Sequence, residues 1–303
     1  MDLIAPFLQH LQSQQYSENS LQSHRLDLRR FLAWLEPEEG SSPLPRLKHL
    51  ALEQLEAYQE DLGQHYKQRT VARHLSSLKL FLDFWVSQGS IPLNPVHQLR
   101  FPEIVPEPLE MLTLWEVQAL LEAPSLDHYL GLRDRTMLEL LYACGLKVSE
   151  LLGLNVGNLF LDLGFIKVYR KQVRMVPLLS RTSELLQRYL SEAREGRLLS
   201  TDDPCLFPGR NGTRMSRMGF WAMVRKHAQR AGIEKPLNPR MLRHSFAMHL
   251  LQNGMDLTDI RDLFGYVSLD ATLQYAHVNR PDFEEEYHRY HPRGEHYQKQ
   301  GEP

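Results

Sequence analysis

Two arginines three residues apart, Arg240 and Arg243, directly follow Asn238-Pro239, a dipeptide suited to starting a helix. The spacing puts both on one helical face, near an N-terminus whose backbone N–H groups add positive potential. Such a pair makes a phosphate clamp, because the guanidinium fork matches phosphate oxygens. Two solvated surface arginines are the plainer alternative. The stretch continues as Leu242-Arg243-His244-Ser245-Phe246-Ala247-Met248-His249-Leu250-Leu251, with Gly265-Tyr266 and Tyr275-Ala276-His277 downstream. Upstream lie Gly145-Leu146-Lys147-Val148-Ser149-Glu150-Leu151 and the basic run Tyr169-Arg170-Lys171-Gln172-Val173-Arg174-Met175-Val176-Pro177-Leu178.

These segments resemble the signature of the tyrosine recombinases, enzymes that cut and rejoin DNA through a tyrosine. The family pattern is H-x-L-R-H-S-F-A-T-H-L-L, then L-L-G-H, then Y-x-H. Cutting a DNA phosphodiester this way needs an in-line nucleophile and cations for the charge on the non-bridging oxygens. It also needs an acid for the leaving 5′ oxygen and a base or hydrogen-bond partner for the tyrosine. The resemblance assigns Tyr275 as nucleophile and Arg243 as a cation, both at the family spacing. It also marks changes. Arg240 stands in place of an acid/base histidine; it can bind phosphate but cannot accept a proton. Tyr266 stands in place of a histidine or tryptophan and keeps a hydroxyl donor. Lys147 stands in place of the first arginine and lacks its bidentate fork. The family lysine rides a hairpin in G-x-K-x-R-x-V-P-L; counting back from Pro177 puts it on Gln172, with Lys171 beside it as the alternative. Glu150 reads as a buttress, and His244 and His249 as packing or supporting groups.

The resemblance extends to Xer-type core-binding domains through Ser17–Leu35, Arg73-His74-Leu75-Ser76-Ser77-Leu78, Val86–Gly89 and Asn94-Pro95. It implies a mainly α fold with a small β-sheet: a helical, SAM-like DNA-binding domain and a recombinase catalytic domain, together forming a DNA clamp. Lys67, Arg69, Arg73 and Lys79 are candidate phosphate contacts. It also implies a tetramer on double-stranded DNA, with a related recombinase as a potential partner, in recombination, integration or chromosome partition at cell division. The tail from Pro281 to Gly294, with Phe283 and Tyr287 four apart, resembles the segment that reaches into a neighbouring subunit. Two main readings remain open, a non-catalytic or weakly cutting DNA binder and an active recombinase, with a nuclease a distant third.

The elements that must position these residues follow from periodicity. Ile4, Phe7, Leu8 and Leu11 repeat at helical spacing, and Ser20 is placed to cap a second helix through Trp34. Pro37 to Pro45 reads as a loop, and two further helical patterns run to Trp85. Pro102, Pro106 and Pro108 mark a linker, dividing the chain into 1–100, 101–111 and 112–303. Beyond it, Thr113 is placed to cap a helix, Leu132–Tyr142 is apolar, and Phe160–Leu179 alternates like strands. Helices are expected over Ser183–Ala193, Met218–Ala231, Met241–Asn253, Thr258–Phe264 and Ser268–Val278, with stops at Gly254 and Gly265.

The 303 residues, 42% hydrophobic and 24% charged, suffice for two cores. A net charge of −2 leaves DNA binding to local basic faces and argues against strong non-specific binding. No apolar run suits a transmembrane helix or a secretory signal, and two cysteines make no disulfide framework, so a reduced cytoplasmic setting is expected. No acidic ligand cluster points to a metal, and no cofactor is expected.

Overall fold

The computed structural model describes residues 2–35, 44–104, 109–169, 173–194, 204–266, 268–273 and 275. Its contacts divide the chain into two units, 1–107 and 108–303. The first unit is helical: α1 Ile4–Ser13, α2 Glu18–Leu35, α3 Leu44–Lys48, α4 Leu52–His65 and α5 Gln68–Ser87, closed by a 3₁₀ turn at Pro95–Gln98. α2 starts earlier than Ser20, because Ser17 is the residue whose hydroxyl accepts the Ser20 N–H, at 3.2 Å. α3 begins inside the stretch expected to be loop. Pro45 fits its first turn, where a missing N–H costs no helical bond.

The core of this unit is aromatic: Phe7, Phe31, Tyr58, Phe81 and Trp85 are buried among leucines. One charge is buried with them. Asp27 accepts from Ser77 Oγ at 2.7 Å and Arg73 Nη1 at 2.5 Å, and His74 Nε2 lies 3.2 Å from it. The Ser77 hydroxyl also meets His24 Nδ1 at 2.9 Å, so α2 and α5 are joined by a polar core as well as an apolar one.

The second unit starts where Leu109 and Met111 pack onto its smaller apolar cluster, and the Leu112 N–H donates to Ser245 Oγ at 2.8 Å. α6 Leu114–Glu122 follows with the expected cap: Thr113 Oγ1 accepts the Glu116 N–H at 3.2 Å, and Glu116 accepts the Thr113 N–H at 2.8 Å. α7 Tyr129–Ala143 runs through the middle of the core and is buried on nearly every side. Its Asp134 is held by Arg133 at 2.7 Å and by His227 Nε2 at 3.0 Å. α8 Val148–Gly153 leads to an antiparallel sheet ordered β1 Leu159–Phe160, β2 Phe165–Val168, β3 Arg174–Pro177, with Val168 opposite Arg174. α9 Ser180–Tyr189 ends in a π turn at Leu190–Arg194. α10 Arg217–Arg230, α11 Pro239–Gln252, α12 Leu257–Phe264 and α13 Asp270–Leu273 complete the unit. The expected final helix is thus described only over its first turn. Cys144 and Cys205 are buried, and no described helix is long and apolar enough to cross a membrane.

Two measurements test the polar core of the first unit. Asp27→Ala removes the shared acceptor and strands Ser77 and His74, and should cost about 3 kcal/mol in urea unfolding; a loss under 1 kcal/mol would show the network to be incidental. Burial lowers the titration of His24 and His74 despite the nearby Asp27 charge. The unfolded chain therefore binds more protons below the ordinary histidine value of about 6.5. Stability should be flat above that pH and fall from about 6.5 to 5, and His74→Gln should flatten the fall.

Candidate functional site: a buried arginine pocket

The pocket begins with one carboxylate. Glu150 sits in the first turn of α8 and is buried. Its Oε2 accepts the Lys147 N–H at 2.9 Å, completing half of a capping box. Arg174, entering β3, forks onto the same carboxylate at 3.0 and 2.8 Å. Arg243 approaches it to 3.9 Å. Burial alone would raise the Glu150 titration; the Arg174 hydrogen bonds and the Lys147 N–H outweigh it and hold the group below the usual carboxylate range.

Arg243 projects from the first turns of α11 and is 5% exposed. Its guanidinium donates to the Gly145 carbonyl and, at 3.2 Å, to the Phe264 carbonyl. It stacks 3.6 Å from the Phe264 ring centroid. Gly145 is required where it is. Its φ of +54° is left-handed, and a Cβ there would meet the Phe264 and Phe246 rings at 2.5–2.6 Å. Arg243 Nε is buried and has no acceptor among the described residues.

The far wall is the end of α12. Gly265, at φ +62°, and Tyr266 close that helix: the Gly265 N–H returns to Asp262 O at 3.1 Å and the Tyr266 N–H to Arg261 O at 3.0 Å. The last carbonyls, negative ends of the helix dipole, are capped by cations. Leu263 O accepts from Arg174 Nε at 2.9 Å, and Phe264 O from Arg243. This cap aims Tyr266 at the pocket. Its ring lies 5.2 Å from Lys147 Nζ and 5.3 Å from the Arg243 guanidinium, and its hydroxyl interacts with both Arg243 and Tyr275.

Tyr275 belongs to the same apolar cluster as Phe264 and is 1% exposed. Its hydroxyl meets His244 Nδ1 at 2.9 Å. Burial, then the neighbouring Tyr266, push its phenol above the ordinary tyrosine range. His244 is pulled down, by burial first and by Arg240 and Arg243 next.

Arg243, Lys147, Tyr266 and Tyr275 therefore share one pocket. Arg240 does not join it on equal terms: it is exposed at the start of α11 while Arg243 is buried, so the pair does not present one even face. Lys171 and Gln172 lie outside the described residues, as do Phe283 and Tyr287. In the first unit, Lys67 at the N-cap of α5 and Arg69 and Arg73 on α5 are exposed, with Arg73 tied to Asp27; Lys79 is half-buried, next to Asp83. Sequence reading missed the role of Arg174, which pins both Glu150 and the end of α12. A buried glutamate needs a buried cation, and that demand was the available signal. It also gave His244 only a supporting part; no spacing rule links it to a residue 31 positions on.

The phage integrase family matches residues 110–281, and the phage integrase N-terminal SAM-like domain matches residues 4–89. The chain belongs to the phage integrase family, the tyrosine recombinases. More particularly, it is 40% identical over 284 residues to tyrosine recombinase XerD of Pseudomonas aeruginosa, covering 92% of this chain and 93% of that protein. It is 34% identical to tyrosine recombinase XerD of Listeria monocytogenes over 96% of this chain and 99% of that one. Its fold matches that of the Tn1549 transposon integrase in complex with a circular intermediate DNA, with a TM-score of 0.75 at 20% identity over 95% and 99% of the two chains. It also matches XerH site-specific recombinase bound to a palindromic difH substrate, with a TM-score of 0.72 at 21% identity over 88% and 78%.

A double-mutant cycle tests the frame of the pocket. Glu150→Met and Arg174→Met each leave a buried charge unpaired and should cost about 3–5 kcal/mol in urea unfolding. The double variant should cost well under the sum, with coupling of about 1–3 kcal/mol. Additive losses would mean the pair does not hold the pocket together.

Proposed function

We propose that this protein recognises specific double-stranded DNA sites and breaks and rejoins them slowly, through a 3′-phosphotyrosyl link at Tyr275. The observation that carries the reading is the meeting of Tyr275, Arg243, Tyr266 and Lys147 in one pocket framed by Glu150 and Arg174. Arg243 supplies charge to the non-bridging oxygens through its remaining N–H groups, Nε among them. Arg240, exposed at a helix N-terminus, adds a phosphate contact from outside. Lys147 contributes charge without a fork, and Tyr266 a hydroxyl donor.

Slow cutting follows from the substitutions. Losing a proton-transfer group costs typically about 10²–10⁴-fold, and losing one charge-assisted hydrogen bond costs on the order of 10–100-fold. Such losses do not simply multiply, since the groups act on one transition state.

The related integrases and XerH are described on DNA. Our reading is that this chain, like the XerD recombinases it resembles, works in the cytoplasm on DNA as a tetramer, with a related recombinase as partner, in chromosome partition at cell division. The exposed Lys67 at the N-cap of α5, with Arg69 and Arg73 on it, serve as phosphate contacts of the first unit. A second reading, a binder that never cuts, is favoured by one observation: the Tyr275 side chain is buried, so cutting requires its release toward the DNA.

Trapping decides between the two. On nicked site DNA, the natural protein should accumulate a covalent adduct, and Tyr275→Phe should form none while binding DNA as before. Lys147→Arg, Gln172→Lys, Arg240→His and Tyr266→His combined should raise the adduct rate at least 10²-fold. Binding without an adduct from either protein would leave only the second reading. Arg240→Glu should weaken DNA binding several-fold and make its salt dependence shallower by about one ion; an unchanged slope would remove Arg240 from the interface.

A further inference from the structure

Arg240 stands where the family pattern has an acid/base histidine, and a guanidinium cannot take a proton from a phenol. The pocket nevertheless holds a histidine on the nucleophile. His244, one turn along α11 from Arg240, places Nδ1 2.9 Å from the Tyr275 hydroxyl. The rings are tilted by 57° with centroids 5.6 Å apart, so they do not stack and meet through their polar atoms. The geometry points to His244 as the base for Tyr275: its Nδ1 takes the phenol proton during strand cleavage, in place of the residue lost at position 240. This assignment rests on Tyr275 being the nucleophile.

The hydrogens follow from the chemistry of the two groups. A ring protonated on Nε2 presents Nδ1 as acceptor, and the phenol donates. The groups facing His244 are Tyr275, with Tyr266 beside it, and Arg240 and Arg243 from its own helix. Burial, and then the two arginines, disfavour an imidazolium, so the ring is neutral and able to accept at ordinary pH. Burial likewise opposes a standing phenolate–imidazolium pair, although Arg243 favours the phenolate. Transfer therefore accompanies attack: the phenol O–H breaks, its proton passes to Nδ1, Tyr275 Oη bonds to phosphorus, and the bond from phosphorus to the 5′ oxygen breaks. That oxygen takes a proton from bulk water. Rejoining runs the same steps backwards and returns the His244 proton to Tyr275. A phosphodiester drawn close adds negative charge and eases the cost of the cation on His244.

The test uses the full chain on a nicked site duplex that traps the adduct. His244→Asn keeps an acceptor oxygen near the place of Nδ1 but cannot be protonated. Its adduct rate should fall about 10²–10³-fold between pH 6 and 9, and the acidic limb of the rate profile should vanish, with DNA binding unchanged. Replacing Tyr275 with a difluorotyrosine, whose phenol is more acidic, should recover at least tenfold in His244→Asn and change the natural protein little. A purely structural role for His244 would give no such selective rescue. An adduct rate and pH profile equal to the natural protein's, or a slow variant that fluorination fails to rescue, overturns the assignment while leaving Tyr275 as nucleophile. If His244→Asn does not fold, the natural chain carries the test. The acidic limb of its adduct rate should coincide with the His244 ring titration followed by NMR on ¹⁵N-histidine protein, and a mismatch overturns the proposal. No adduct from the natural protein, with binding intact, removes the Tyr275 reading and this one with it.

Discussion

Everything in the pocket depends on keeping one carboxylate ionised out of water. A buried charge is stable only if its partners replace the lost hydration. Glu150 has three such hydrogen bonds, two from Arg174 and one from the Lys147 N–H, with Arg243 at 3.9 Å. Those bonds do more than neutralise it. They connect the start of α8, the entry to β3 and the base of α11, elements far apart in sequence. The same two arginines reach past Glu150 to the end of α12 and hold its carbonyls. One ion cluster thus fixes where Lys147, Arg243 and Tyr266 can be.

A second constraint is steric. Gly145 supplies a carbonyl to Arg243 from a left-handed backbone wedged against two phenylalanine rings. Gly265 ends α12 over Arg174, whose Cδ would lie 3.0 Å from an added Cβ. Both glycines serve close approach, so the polar frame and the aromatic cluster of Phe246, Phe264 and Tyr275 pack as one body. Tyr275 is held by that cluster on its ring and by His244 and Tyr266 at its tip, which makes its placement a product of packing and of polar contacts from two neighbours.

Much of this was legible in the residues. Helix ends with strong signals fell where capping chemistry put them: Thr113 with Glu116, Asn238 with Pro239, Gly254 and Gly265. The mainly helical architecture with a small sheet also followed, as did the meeting of Lys147, Arg243, Tyr266 and Tyr275. What escaped has physical causes. Ser17 and Ser20 compete for one cap, and local pattern cannot rank them. Arg240 and Arg243 share a helix face by spacing, yet tertiary packing buried one and left the other in water. Arg174 and His244 act through partners 24 and 31 positions distant. Periodicity is local information, and such pairings are written only in the fold.

The arginines of the pocket lean on main-chain oxygens: Gly145, Leu263 and Phe264 all offer carbonyls to them. Main-chain atoms are common to every amino acid, so substitution of a side chain nearby does not remove them. Positions 147, 240 and 266 border this scaffold without carrying it. Exchanging their side chains alters charge shape and proton traffic, while the main-chain carbonyls that seat the cations remain. Such a pocket can drift in chemistry, from swift cutter toward quiet binder and back, without passing through an unfolded ancestor.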